Sequence, residues 1–271
     1  MNRTIINTIF ILCKSTAKKS KNFFYKKNPV FLKYILTSLS IVLICACASF
    51  GTEDYKGGKK IEANGYQEEK NKDTEFKKIW ESFSNEKVFD IDMQGYTAVG
   101  NKNAPVVIIE FFDFLCPYCK TVSDILDKAA ANNPDKVRLI YANYPLDNEC
   151  NAFVRRKKYQ GACLLAKGAI CASEQNKFAT YHKLAFNIKN LPIDLNGIKR
   201  LAIKANLDAD KFQNCLKSAI TETALQLQIM EAMKLDIPGT PTIFINGKEY
   251  KHKIDKEVIQ KIINKEAQRV K

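Results

Sequence analysis

Val106-Val107-Ile108-Ile109-Glu110-Phe111-Phe112, followed after Asp113-Phe114-Leu115 by Cys116-Pro117-Tyr118-Cys119, is the stretch from which the fold of this chain can be read. A near-continuous apolar run rich in β-branched and aromatic residues is what a strand buried on both faces looks like. A helix follows at once, because Cys119, Val122, Leu126 and Ala129 recur at i, i+3, i+7 and i+10, and Asn132-Asn133-Pro134 closes it. The two cysteines therefore stand at the junction of a buried strand and a helix N-terminus.

Working outward, Val137 to Tyr144 reads as a second strand. After Pro145 helical periodicity runs from about Gly161 to Leu235 with no convincing strand. Strands return at Thr242 to Asn246 and Glu249 to Lys251, joined by the favoured hairpin pair Asn246-Gly247. A last helix presents Val258, Ile259, Ile262 and Ile263. The pattern is α/β: a strand-helix-strand half and a strand-strand-helix half, with a helical insert at about 148–235. On the N-terminal side, Phe76, Ile79, Trp80 and Phe83 fall at helical spacing, predicting an amphipathic helix and lead-in over 76–94, before a main domain at 95–271. Residues 51–75 are polar and Gly-containing and are expected to form a flexible tether.

The charge is as unevenly distributed as the hydrophobicity. Of a net charge of +14, from 43 Lys plus Arg against 29 Asp plus Glu, eight positive charges and no acid fall in residues 1–52, which leaves +6 on the rest. That remainder is interleaved with acids, so no nucleic-acid partner is expected. The basic region precedes an uncharged run, Tyr34 to Phe50, and together they form the pattern of a secretory signal over 1–50. Leu43-Ile44-Cys45-Ala46-Cys47 resembles the bacterial lipobox, which implies that Cys47 becomes a lipid anchor; retention as a leader helix or cleavage to a free form are the alternatives. The expected location is extracytoplasmic, in the periplasm or at the cell surface, with a membrane anchor.

The chemistry points to thiol exchange. The thiolate is the reactive form of cysteine, and free N–H groups and the positive dipole end of a helix lower a thiol's pKa there. Cys116 is thus expected to be an exposed nucleophile and Cys119, one turn on, the buried resolving thiol. Pro117 suits the first turn, where its missing N–H is not needed. Zinc needs four ligands, and this chain has one Cys-x-x-Cys and only two histidines, His182 and His252. Both histidines read as surface or packing residues, and no metal or cofactor is expected. A purely structural bond across two residues removes little entropy, and no cysteine-protease signature surrounds either cysteine.

The run Ile109 to Cys119, with Gly239-Thr240-Pro241-Thr242 over a hundred residues later, resembles the DsbA-type branch of the thioredoxin superfamily. Tyr144-Pro145-Leu146-Asp147 and the helical stretch from Gly161-Ala162-Cys163 to Phe186 are similar to thioredoxin-like domains fused to vitamin K epoxide reductase homologues. The resemblance covers about 95–265 and implies a thioredoxin fold with a helical insertion. It implies that Pro241 is a cis-proline facing the disulfide, with Thr240 before it presenting backbone groups to a substrate peptide beside Pro117 and Tyr118. Glu110 matches the family's buried acid, which exchanges a proton with Cys119. Exported protein thiols are the implied substrates, and a quinone-linked membrane protein of the DsbB or vitamin K epoxide reductase type the implied redox partner. Strongly oxidising members place His where this chain has Tyr118. Tyrosine adds no charge, so Cys116 is expected to be less acidic than theirs and its potential to fall within roughly −120 to −270 mV. The direction of electron flow is not readable from the tetrad; a reductase, an isomerase, or a structural lipoprotein without turnover are the competing readings.

Cys13 and Cys45 lie in the leader. Setting these, Cys47 and the active pair aside leaves Cys150, Cys163, Cys171 and Cys215, an even number that fits two structural disulfides. If Cys163 and Cys171 share a helix they stand about 12 Å apart, beyond the roughly 7 Å limit for a bridge. Two connectivities survive: Cys150 with Cys163 and Cys171 with Cys215, which is preferred, or Cys150 with Cys171 and Cys163 with Cys215. Free buried thiols are the alternative to both.

Overall fold

A computed structural model describes residues 58–155, 158–189 and 193–269, with side chains from Glu68 onward. The leader, Cys47 and the first residues of the expected tether lie outside the described residues. Tyr66–Lys271 is one compact unit; of Met1–Gly65 the described part is the helical start at 58–65.

The first helix, α1, spans Gly58–Ser84, so the flexible tether expected up to residue 75 is helical from 58 onward. Composition misled because this segment has no apolar stripe to signal a helix. Its solvated turns carry i,i+4 pairs, Glu68–Lys72 at 3.1 Å among them, and such pairs support a helix without burial. Phe76, Ile79 and Trp80 pack on the core beside fully buried Phe83. That anchored end lets the helix propagate, since extension costs far less than nucleation.

Five strands follow: β1 (Thr97–Gly100), β2 (Val106–Phe112), β3 (Val137–Asn143), β4 (Thr242–Ile245) and β5 (Lys248–Glu249), in the order β1-β3-β2-β4-β5. The central pair β2/β3 is parallel and every other pairing antiparallel. β1 has no counterpart in the sequence reading. It is a four-residue edge strand with alternate residues half-buried, too short to carry a period. The β4–β5 turn is Asn246-Gly247, at φ 49° and 77°. These left-handed values are what a two-residue hairpin needs; they pair Ile245 with Lys248 and so place β5 one residue earlier than expected.

The pleat sorts β2 into two cores. Val106, Ile108 and Phe112 face α2 (Pro117–Asn132) and α8 (Lys256–Arg269), in a core shared with Leu126, Ile259 and Ile263. Ile109 and Phe111 face the other way, toward Leu225 and Ile229 of α7 (Ala219–Lys234). By this alternation Glu110 points toward α2.

Between β3 and β4 lies the insert, α3 (Ala162–Glu174), α4 (Phe178–Ala185), α5 (Leu195–Lys204), α6 (Ala209–Leu216) and α7. Asp194, Asp208 and Ser218 cap α5, α6 and α7 by accepting backbone N–H groups. The structure joins Cys150 to Cys163, Cα atoms 5.9 Å apart, and Cys171 to Cys215, 5.7 Å apart. Sequence separations of 13 and 44 residues translate into about 3 and about 4 kcal/mol of chain entropy removed from the unfolded state. Cys171→Ala/Cys215→Ala is therefore expected to lower the denaturation midpoint more than Cys150→Ala/Cys163→Ala in urea titrations. Equal stability of both variants and the parent would contradict the pairing.

Candidate active site

Cys116 is the N-cap residue of α2, in extended conformation, and no side chain caps the helix. The free N–H groups of the first turn face its sulfur instead. Its own N–H donates to the Asp113 carbonyl at 3.1 Å, closing the tight turn that carries the chain from β2 into the helix. Across the site, the Cys116 sulfur lies 3.4 Å from the Thr240 carbonyl, to which it donates when protonated, and the Thr240–Pro241 peptide is cis. The sheet places that segment there: β4 pairs with β2, Thr242 opposite Phe111, so the residues just before β4 lie over the end of β2.

Cys116 and Cys119 are both unpaired thiols. The Cys116 thiol is lowered from 9 to about 5, first by the hydrogen bond from the Cys119 thiol, against which burial pulls the other way. The N–H groups of Cys119 and Tyr118 and the side chain of Thr240 add to the lowering. Cys119 moves in the opposite sense: burial and the same thiol–thiol bond push it well above the ordinary thiol range. One sulfur is thus an anion at neutral pH and the other a protonated thiol, the division that nucleophile and resolving group need.

The expected nucleophile is not exposed. Cys116 is 3% accessible, whereas Tyr118 is 74% accessible. The Thr240 carbonyl closes over the sulfur, and the motif presents its tyrosine to solvent. Of the two sulfurs Cys116 is still the more accessible, since Cys119 is fully buried.

Beneath them Glu110 is fully buried and accepts from the Ser123 hydroxyl, which lies 2.8 Å from each carboxylate oxygen. Burial raises its carboxyl from 4.5 to about 8; Ser123 opposes the rise, while the charges of Asp127 and Cys116 add to it. Sequence reasoning missed Ser123 although its signal was present: it stands four residues after Cys119, on the same helix face. A lone serine in an apolar stripe is ordinarily read as a tolerated small residue.

Asp113 was missed as well. Its carboxylate accepts the Leu115 and Leu146 N–H groups, both at 2.7 Å, and so ties the nucleophile turn to the loop after β3. Burial holds that carboxyl up at about 6, against the pull of these two bonds. In the same loop Asp147 is buried and accepts from Gly161 N–H at 3.0 Å. His182 is buried against Phe112, Phe114, Tyr141, Phe178 and Phe186. Burial lowers it to about 3, so it is a neutral packing residue. Among the described residues no group of three His, Cys, Asp or Glu is placed to hold a metal ion.

Residues 93–265, well over half of the chain, match the family model described as Thioredoxin. This chain belongs to the thioredoxin family. Disulfide bond formation protein D of Bacillus subtilis is 26% identical over 191 residues, covering 64% of this chain and 78% of that protein. Among solved structures, oxidised BdbD from Bacillus subtilis superposes with a TM-score of 0.56 at 21% identity, over 68% of this chain and 98% of that one. The thiol-disulfide exchange protein alpha-DsbA2 from Wolbachia pipientis gives 0.53 at 19% identity, over 72% and 97%. The Na(+)/H(+) antiporter NhaA 1 of Mycolicibacterium gilvum is 24% identical over 155 residues, 56% of this chain and 23% of that protein. This thioredoxin-family chain thus spans about a quarter of the length of the antiporters it matches. Among its described residues no helix is long and apolar enough to cross a membrane. Its fold is the thioredoxin fold with a helical insertion between β3 and β4.

Proposed function

We propose that this protein is an extracytoplasmic thiol-disulfide oxidoreductase acting on the thiols of exported proteins, and that it forms disulfides in them. The observation that carries the reading is the split of the Cys116–Cys119 pair: a thiolate at a helix N-terminus against the cis Thr240–Pro241 segment, and a buried thiol over a protonatable Glu110. In the oxidised enzyme a substrate thiolate attacks Cys116, and Cys119 departs as a thiolate that takes the proton of Glu110. A second substrate thiolate then attacks the substrate sulfur of the mixed disulfide. It releases Cys116 as a stable thiolate and leaves two electrons on the enzyme. A membrane protein of the quinone-linked kind would remove them. Thr240, Pro117 and Tyr118 border the sulfur and would meet the substrate chain. Membrane attachment through Cys47 or the leader helix belongs to the same reading.

A depressed Cys116 pKa stabilises the reduced form and makes the disulfide a better oxidant. With a thiol at about 5, between the roughly 7 of thioredoxin and 3.5 of the strongest oxidants, the potential is expected between their values of about −270 and −120 mV. Glutathione titration measures it; a value at either extreme would overturn the argument. Reactivation of reduced ribonuclease exceeding insulin reduction is the result expected of an oxidase. The opposite balance would mark a reductase kept reduced by a membrane donor, reactivation of scrambled ribonuclease an isomerase, and no turnover a structural lipoprotein.

A further inference from the structure

The buried acid needs a route to water. Glu110, Ser123 and Cys119 are all sealed, and Cys116 nearly so, with the Thr240 carbonyl over it. In any mixed disulfide the substrate itself would occupy that opening. Yet every turnover must bring one proton to Glu110 or take one away. Along α2 the residues Cys119, Ser123 and Asp127 follow at intervals of four, so they stack on one helix face. Ser123 bonds Glu110, and Asp127, one turn further, has a side chain 39% accessible to solvent. Tyr141 of β3, which pairs with Glu110 in the sheet, donates its hydroxyl to Asp127 Oδ1 at 2.5 Å and holds that carboxylate at the mouth of the stack.

We propose that Asp127 is the solvent end of a proton path serving Cys119, in which protons reach and leave Glu110 by way of Ser123 and Asp127 and not past the nucleophile. The inference rests on the oxidoreductase reading above. When the enzyme oxidises a substrate, the Cys116–Cys119 bond breaks, Cys119 leaves as a thiolate and takes the Glu110 proton, and Asp127 relays a replacement proton from water. In re-oxidation the flow reverses: Glu110 first gives up its proton through Asp127 and, now ionised, takes the Cys119 proton as the Cys119 sulfur attacks Cys116 in the mixed disulfide with the electron acceptor, whose sulfur leaves as a thiolate. The groups facing Asp127 suit this task. His182 of α4, its Nδ1 3.8 Å from Oδ2, is neutral and supplies no counter-ion. Burial raises the Asp127 carboxyl, against the pull of the Tyr141 hydroxyl and with help from the charge of Asp124 on the same helix, which favours its taking up a proton. Where α8 meets α2 the hydrogen-bonded pair is Gln260 and Asn133, both uncharged.

Asp127 is a positioning and relay residue, and its test reads the proton directly. Asp127→Asn keeps the shape and an acceptor for Tyr141 but cannot carry a proton. Stopped-flow reduction of the oxidised protein by a substrate peptide should slow about tenfold in the variant, with a larger solvent deuterium effect. Added imidazole should restore the rate while the glutathione-titrated potential stays at the parent value. Ser123→Ala should show the same defect and combine with Asp127→Asn less than additively, since both lie on one path; it also carries the test alone should Asp127→Asn fail to fold. Parent rates, parent isotope effects and no response to imidazole in either folded variant would overturn the proposal. Absence of exchange in the parent protein would instead overturn the function on which it rests.

Discussion

A Cys119→Ala variant is expected to accumulate exported polypeptides covalently joined to Cys116, whereas Cys116→Ala should exchange no disulfides above the uncatalysed level. The asymmetry follows from the site. Cys116 is the sulfur with the low pKa and the greater access, so it is the one expected to form the bond to substrate. Cys119 is buried and held protonated; it serves only to break that bond from within. Removing it also removes the thiol–thiol hydrogen bond that is the first cause of the lowered Cys116 pKa. The trapping variant should therefore alkylate with a midpoint nearer the ordinary thiol value. Non-reducing gels of cells expressing the variant, with release by dithiothreitol, check the first expectation, and pH-dependent iodoacetamide rates the second. A variant that captures no partner while folded and exported would remove the case for an enzyme.

Glu110→Gln should separate stability from turnover. The raised carboxyl means that the folded protein keeps a proton which the unfolded chain gives up near pH 4.5. The stabilisation is fully present below that pH and is lost as pH rises through about 8. Asp113 contributes with the same sign over the lower window, from 3.8 to about 6. Gln has no proton to lose, so Glu110→Gln should gain on the parent as pH climbs from 5 to 9, by on the order of a few kcal/mol in all. The measurement belongs on the oxidised protein. In the dithiol form Cys116 has the opposite sign: its contribution is present above pH 9 and is lost as pH falls through about 5. Turnover should move the other way, falling roughly 10²-fold or more at neutral pH, because the departing Cys119 has lost its proton donor. A variant that neither gains stability at high pH nor slows the exchange would show that Glu110 is only a packed polar group.

Much of this is legible in the sequence. The run Val106–Phe112 announced a two-face buried strand because burial on both sides demands an apolar residue at nearly every position. Asn246-Gly247 announced a hairpin because few other pairs accept two positive φ values. The four insert cysteines were reduced to two pairings by the rise of a helix, and the structure adopts the preferred one. The errors share a cause. The helix from 58 was missed because solvated ion pairs leave no apolar period, and β1 because four half-buried edge residues leave none either. Cys116 was expected to be exposed although the resemblance placed the Thr240–Pro241 segment beside the disulfide, because how closely the Thr240 carbonyl covers the sulfur is set by the pairing of β4 with β2.

Local physics in the sequence alone singled out the two sulfurs expected to react and the one expected to lead, since position at a helix N-terminus is a matter of neighbours along the chain. The resemblance set Thr240, Pro241 and Glu110 around them, and only the tertiary structure decided the bonds they make there. Thr240 stands 124 residues from Cys116, and Ser123 lies 13 from Glu110. Asp113 holds Leu146 across 33 residues. Such contacts arise from strand pairing and sheet pleat and leave no periodic trace in sequence. They set the charge of Cys116, the proton on Glu110 and the exit through Asp127.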